Sequence, residues 1–163
     1  MVVIDGATTT IDGRPWLPCT QSSTLNCNWL APEDQDGYAR GRCAAHALIR
    51  NEPDPGDTLA REKLVPTAAA LRRLVYQLAD LHLPLDPWWR RAGGLAFDLL
   101  SSHSTGEKVV IGHADGVITI DVVETLDAYR EQLRVRLGEP YRTMLGHFRH
   151  EVGHYYQNIL VES

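Results

Sequence analysis

The sequence of 163 residues holds little of several things. It has three cysteines, Cys19, Cys27 and Cys43, and an odd count fits a disulfide scaffold poorly. A reducing compartment suits such a set better, so the expected location is the cytoplasm. No run of eighteen apolar residues exists, which argues against a transmembrane helix and a membrane partner. The first residues, Met1-Val2-Val3-Ile4-Asp5-Gly6, lack the basic region and the long apolar stretch of a secretory signal. Positive charge is not in surplus either. The net charge is -5 and the pI about 5.8, so nothing points to a polyanion. There is no internal repeat and no low-complexity tract.

Apolar residues make up 44% of the chain, enough for a core. They are unevenly spread. Residues 1–57 hold all three cysteines and many turn formers, among them Pro15, Pro18, Pro32, Pro53, Pro55 and Gly56. A segment so poor in apolar periodicity needs a staple. The run from Asn51 to Asp57 reads as a linker or rigid turn. Two units are therefore expected, a small lobe over 1–57 and a larger domain over 58–163.

From Thr58 the pattern is helical. Leu64, Ala68, Leu71, Leu74, Val75, Leu78 and Leu81 recur at three- and four-residue steps. Pro66 either kinks this helix or marks its first turn, and Pro84 and Pro87 end it. Strands are predicted at Leu95–Leu100, Val109–Ile111 and Val117–Ile120, with Asp115-Gly116 as a hairpin signal before the last. Leu126–Leu137 reads as a helix stopped at Gly138. A final helix runs from near Pro140 to about Val161.

That final helix carries the chemistry. At 100° per residue, Tyr141, Met144, Leu145, Phe148, Val152, Tyr155, Tyr156 and Ile159 share one apolar face. His147, His150, Glu151 and His154 fall roughly opposite. His150 and His154 are four apart, about 6 Å along the axis, so two imidazoles can converge on one zinc ion. Glu151 is badly placed to be a ligand. It is well placed to take a proton from a water whose pKa the metal has lowered. The pattern H-E-x-x-H also occurs by chance, and the alternative is a surface helix with incidental histidines. His147 lies about 10.5 Å along the axis from His154 and reads as a supporting or surface residue. Gly146 and Gly153 read as positions where another backbone comes close.

Cys19, Cys27, Cys43 and His46 form C-x7-C-x15-C-x2-H. Three thiolates and an imidazole make a closed, structural zinc site that could order the core-poor lobe. Buried, unrelated cysteines are the alternative. Acidic residues outnumber basic ones over 19–57, which argues against a nucleic-acid-binding module.

The run from Gly138 to Tyr156 closely resembles the bacterial zinc-binding metallopeptidases of the zincin-like type. Cys27-Asn28-Trp29-Leu30 resembles that family's ribbon segment. Leu71–Tyr76 and Leu81–Leu85 resemble its long helix, and Gly112–Ile120 its hairpin. The likeness covers roughly residues 19 to 160. It implies an α+β fold: a zincin-like half-domain with a short, mostly antiparallel sheet and an active-site helix, preceded by a small zinc-ribbon-like lobe. It implies hydrolysis of a peptide or protein substrate, with zinc on His150 and His154 and Glu151 as base. Val117–Val122 would be the edge strand that pairs with extended substrate. The sequence departs from the family in three ways. A further cysteine-rich ribbon is missing at the start, His46 stands where a fourth cysteine is expected, and the acidic third zinc ligand expected beyond the helix has no counterpart. The domain over 58–163 is therefore expected to be incomplete at its C-terminal end, and the chain alone to show little or no turnover. An inactive zinc-binding or protein-interaction module is the rival. Oligomeric state is not legible.

Overall fold

The computed structural model describes residues 9–11, 13–35, 37–123 and 143–161. The helix expected over Leu126–Leu137, and Pro140 and Tyr141 ahead of the last helix, lie outside the described residues. Among the described residues the fold is α+β, with two small sheets and three α-helices.

The first sheet is antiparallel, in the order β1 (Thr9–Ile11), β2 (Arg14–Pro18) and β3 (Leu30–Pro32). It is thin. Of its strand residues only Ala31 is buried, so its two faces cannot form a core by themselves. Cys19, Leu25, Cys27 and Cys43 instead join one apolar cluster with α1 (Thr58–Asp80), the second sheet and the last helix.

Asp57 starts α1. Its carboxylate accepts from the Ala60 amide at 2.9 Å and so satisfies one donor of the first turn. Leu64, Ala68, Leu71, Leu74, Val75 and Leu78 are buried along one side, as the spacing predicts. Pro66 lies inside the helix rather than at its start. Its lost hydrogen bond costs about 3 kcal/mol, and the buried stripe on either side outweighs it.

The second sheet has the order β4-β5-β7-β6, from β4 (Ile49–Asn51), β5 (Ala96–Leu100), β6 (Gly112–Ala114) and β7 (Val117–Asp121). A short helix α2 (Ser102–Thr105) follows β5. The sheet was expected to be mostly antiparallel, but two of its three pairings, β4 with β5 and β5 with β7, are parallel. The chain reaches β5 from β4 by a helical crossover through α1, which returns a strand in the same direction. The nearly unbroken burial of β5 is what a central parallel strand requires. Its one acid, Asp98, is held by Arg50 at 2.9 and 2.5 Å and by Asn51 at 2.9 Å.

Two strand expectations need correction. Val109–Ile111 is not a strand. The strand starts at Gly112, and Val110 is 84% exposed. The two-residue turn sets the register. Asp115 (φ 49°) and Gly116 (φ 83°) both take positive φ and place Ala114 opposite Val117. Gly116 also admits no side chain, because a Cβ there would stand 2.4 Å from the Gly93 carbonyl oxygen. Nor is β7 an edge strand. It pairs with β5 on one side and β6 on the other, and β6 ends the sheet among the described residues.

The last helix, α3 (Met144–Leu160), opens with Thr143, whose hydroxyl accepts from the Gly146 amide at 3.1 Å. Met144, Phe148, Val152, Tyr155 and Tyr156 are buried. Phe148 meets Phe97 of β5 edge to face at 5.4 Å, and the Tyr156 hydroxyl donates to the Pro84 carbonyl at 2.8 Å. These contacts press one face of α3 onto α1 and the sheet and leave the other outward. Among the described residues no backbone comes close to Gly153: a Cβ there would meet none of them within 4 Å.

Candidate metal centres

The structure brings Cys19, Cys27, Cys43 and His46 together. All four are buried, and their ligand atoms lie within 4.8 Å of one another. Cys19 and Cys27 close the two ends of the loop between β2 and β3, where the Cys19 amide donates to the Trp29 carbonyl at 3.0 Å. Cys43 and His46 occupy one tight turn, closed by the Ala47 amide on the Cys43 carbonyl at 2.9 Å. The loose spacing of Cys19 is thus absorbed by a compact loop.

The donor set fits zinc. Tetrahedral Zn–S and Zn–N bonds imply S···S about 3.8 Å and S···N about 3.6 Å. Cys27 Sγ and Cys43 Sγ are 3.8 Å apart, and Cys19 Sγ is 3.4 Å from His46 Nδ1. The sulfurs are too distant for a disulfide, and all three cysteines are free. The electrostatics divide the set. Hydrogen bonds from Cys27 and Cys43 hold the Cys19 thiol far below its usual range, against the effect of burial. The same contacts with Cys19 and Cys27, together with burial, push Cys43 up. Burial alone would lower His46, but hydrogen bonds to Cys19 and Cys27 outweigh it and raise it to about 9. Thiolate, the form that binds metal, is therefore favoured at Cys19.

Nothing in the helical periodicity singles out Arg72. It comes from α1 and is buried, with Nη1 3.5 Å from His46 Nε2 and Nη2 donating to the Asn26 carbonyl at 3.3 Å. With zinc held through His46 Nδ1 the Nε2–H would face this guanidinium, so Arg72 would act by charge, offsetting the excess of three thiolates around a divalent ion, and not as a hydrogen-bond partner of His46. An arginine beside a helix's apolar stripe carries no periodic signal, so only the tertiary contact identifies it.

The second candidate lies on α3. His150 and His154 are exposed, and their Nε2 atoms are 3.3 Å apart with the rings nearly perpendicular. Two Zn–N bonds at a tetrahedral angle imply about 3.4 Å, so this pair also fits the ion. Glu151 is half-buried on the next position, and His147 is half-buried one turn earlier. Among the described residues, the Cys/His set is the one group of three or more such donors close enough to share an ion. His150 and His154 thus meet without a third donor there. Glu162, a distant candidate, lies outside the described residues. His113 of β6 is near, but its Nε2 accepts from the Gly116 amide at 3.2 Å.

Residues 61–163 match the family described as "Putative zinc-binding metallo-peptidase", which takes in α1 from Arg61 on, the second sheet beyond β4, and α3 with both histidines. The chain belongs to this zinc-binding metallopeptidase family. It is similar to an uncharacterized protein of Mycobacterium bovis and to uncharacterized proteins of two Mycobacterium tuberculosis strains. Each is 45% identical over 150 residues, covering 89% of this chain and 41% of the relative. The chain thus spans about two fifths of the length of the curated relatives it matches. No solved structure matches it. Membership of a zinc-binding family agrees with the Cys/His cluster, and no helix among the described residues is long and apolar enough to cross a membrane.

Proposed function

We propose that this chain carries the metal-binding and proton-transferring elements of a zinc-dependent peptidase, in a zincin-like half-domain over 58–163 behind a zinc-ribbon-like lobe over 1–57. The observation that supports it most is the 3.3 Å approach of His150 Nε2 and His154 Nε2 on the outward face of a helix whose other face is anchored in the core. Cys19, Cys27, Cys43 and His46 hold a structural zinc, and His150 and His154 hold one of catalytic type. Thiolate ligands suit a reducing compartment, and a cytoplasmic location is part of this reading.

A zinc ion at the helix pair supplies a water of lowered pKa and polarises a carbonyl. Glu151, one position past His150, takes the proton from the attacking water. It returns that proton to the leaving nitrogen as the C–N bond breaks. Extended peptide lies along β6, whose outer side is unpaired among the described residues.

The rival reading, a zinc-binding interaction module without turnover, is favoured by one observation: the pair has no third donor among the described residues. Mass spectrometry of a peptide mixture incubated with zinc-loaded protein tests the proposal. Cleavage by the native chain that disappears in Glu151→Gln, with zinc content unchanged, supports the peptidase. Full zinc content with no cleavage in either supports the module.

A further inference from the structure

His113 stands on β6, opposite Ile118 of β7 and on the same face of the sheet. Ile118 is buried toward the core, so this is the face that α3 covers. The His113 ring meets Tyr155 edge to face at 5.9 Å, and Tyr155 directly follows His154. The imidazole is half-buried, held between the sheet edge and the helix that carries the histidine pair.

Its hydrogen bonding fixes its form. The Gly116 amide donates to His113 Nε2 at 3.2 Å, so that nitrogen is an acceptor. In a neutral imidazole the proton must then sit on Nδ1. Ligation of a metal through Nδ1 would move the proton to Nε2, where it would face the Gly116 N–H, donor against donor. His113 is therefore unsuited to supply the missing third ligand, and well suited to donate from Nδ1. Burial is the largest effect on the ring and holds its pKa below the ordinary histidine value.

We infer that His113 is a substrate-binding residue of the helix site, whose fixed Nδ1–H donates to the carbonyl oxygen on which negative charge develops. This rests on the peptidase reading above. A donor held on the strand that packs against the helix carrying Glu151 would stabilise the developing charge without reorganisation of its own. No proton is transferred by His113: Glu151 handles the proton, and His113 lends a hydrogen bond.

Three measurements on the full chain test this. Long-range 1H–15N spectra of the histidine rings at pH 7 should show His113 as the Nδ1–H tautomer, and an Nε2–H tautomer overturns the inference. Acetohydroxamate, a small oxyanion-forming chelator, is then titrated into protein saturated with zinc. His113→Phe, which keeps a ring against Tyr155, should weaken the probe by about tenfold or more, because hydrogen bonds to charged groups are worth that much. Its zinc affinity should stay within about twofold of the native value. His113→Asn, which returns an amide N–H near the Nδ1 position, should recover most of the loss. Unchanged probe binding in His113→Phe, loss of zinc in that variant, or no recovery in His113→Asn each overturns the inference. Failure of the underlying reading looks different: His154→Ala would then leave zinc content untouched, and the role of His113 would fall with it.

Discussion

His150 Nε2 and His154 Nε2 lie 3.3 Å apart on the outward face of α3, the separation two nitrogens adopt on one tetrahedral zinc. Glu151 sits between them in sequence and is half-buried. Glu151→Gln should therefore keep helix-site zinc and abolish any hydrolysis, whereas His154→Ala should lose the ion. Zinc analysis of both variants after dialysis checks this. The reverse pattern, zinc lost from Glu151→Gln and kept in His154→Ala, would reverse the roles.

The cysteine cluster belongs to the same apolar cluster as Leu64, Leu71 and Phe97, so its loss should not stay local. Cys43→Ser should remove one zinc and lower the melting temperature by ten degrees or more. A structural zinc is worth about 10 kcal/mol or more in small domains, comparable to a whole domain's stability. Chelation with a strong ligand should reproduce the effect. A variant with native zinc content and a native melting curve would show that these are merely buried thiols.

Much of this was legible in the sequence because it is local. The helix periods of α1 and α3, the Asp115-Gly116 turn and the His150/His154 pair depend on neighbours within a few residues, while the Cys/His set, spread from Cys19 to His46, was legible from residue type alone. What was not legible depends on pairing at a distance. Ile49–Asn51 is too short to read as a strand, yet it pairs with β5 and makes the sheet partly parallel. The edge role fell to β6 rather than β7 because a strand's neighbours are set by crossovers, and Arg72 reached His46 only through the packing of α1 on the cysteine loop. Gly153 misled for another reason. A helical glycine often marks close packing, but here, among the described residues, it faces open space beside the histidines.

That space makes a prediction of its own. Gly153→Ala should stabilise the protein, since alanine is favoured over glycine in a helix interior by about 0.5–1 kcal/mol and the new methyl meets no atom of the described residues. The melting temperature should rise by about 2–4 °C for a chain of this size. A fall would mean that something fills the space in the working protein. If extended substrate passes over this face, the same variant should weaken peptide binding while it stabilises the fold.

Asp57 gives the protein an acid-sensitive joint. Its carboxylate accepts from the Ala60 amide at 2.9 Å and the Ser101 hydroxyl at 2.8 Å, and His103 lies 3.4 Å away. The Ala60 bond does most to hold its pKa below the ordinary 3.8; burial opposes this and Ser101 adds to it. The folded value is depressed, so the stabilisation is present above the ordinary value and is lost as pH falls through the lowered one. Asp57→Asn keeps a capping oxygen without the charge. Denaturation midpoints measured from neutral pH down to about 3 should fall less steeply for the variant than for the native chain. Parallel curves would show that Asp57 does not contribute to the acid limb.

Zinc counting against chelators of graded strength tests the central claim, two zinc sites of different kinds, most directly. The account predicts two ions per chain at saturation. A weak chelator should remove the first, from the two-histidine pair, and only a strong one should remove the second, from the four-ligand cluster. Cys43→Ser should retain only the weakly held ion, and His154→Ala only the tightly held one. A single ion per chain that survives His154→Ala and vanishes with Cys43→Ser would contradict the account and leave α3 with incidental histidines.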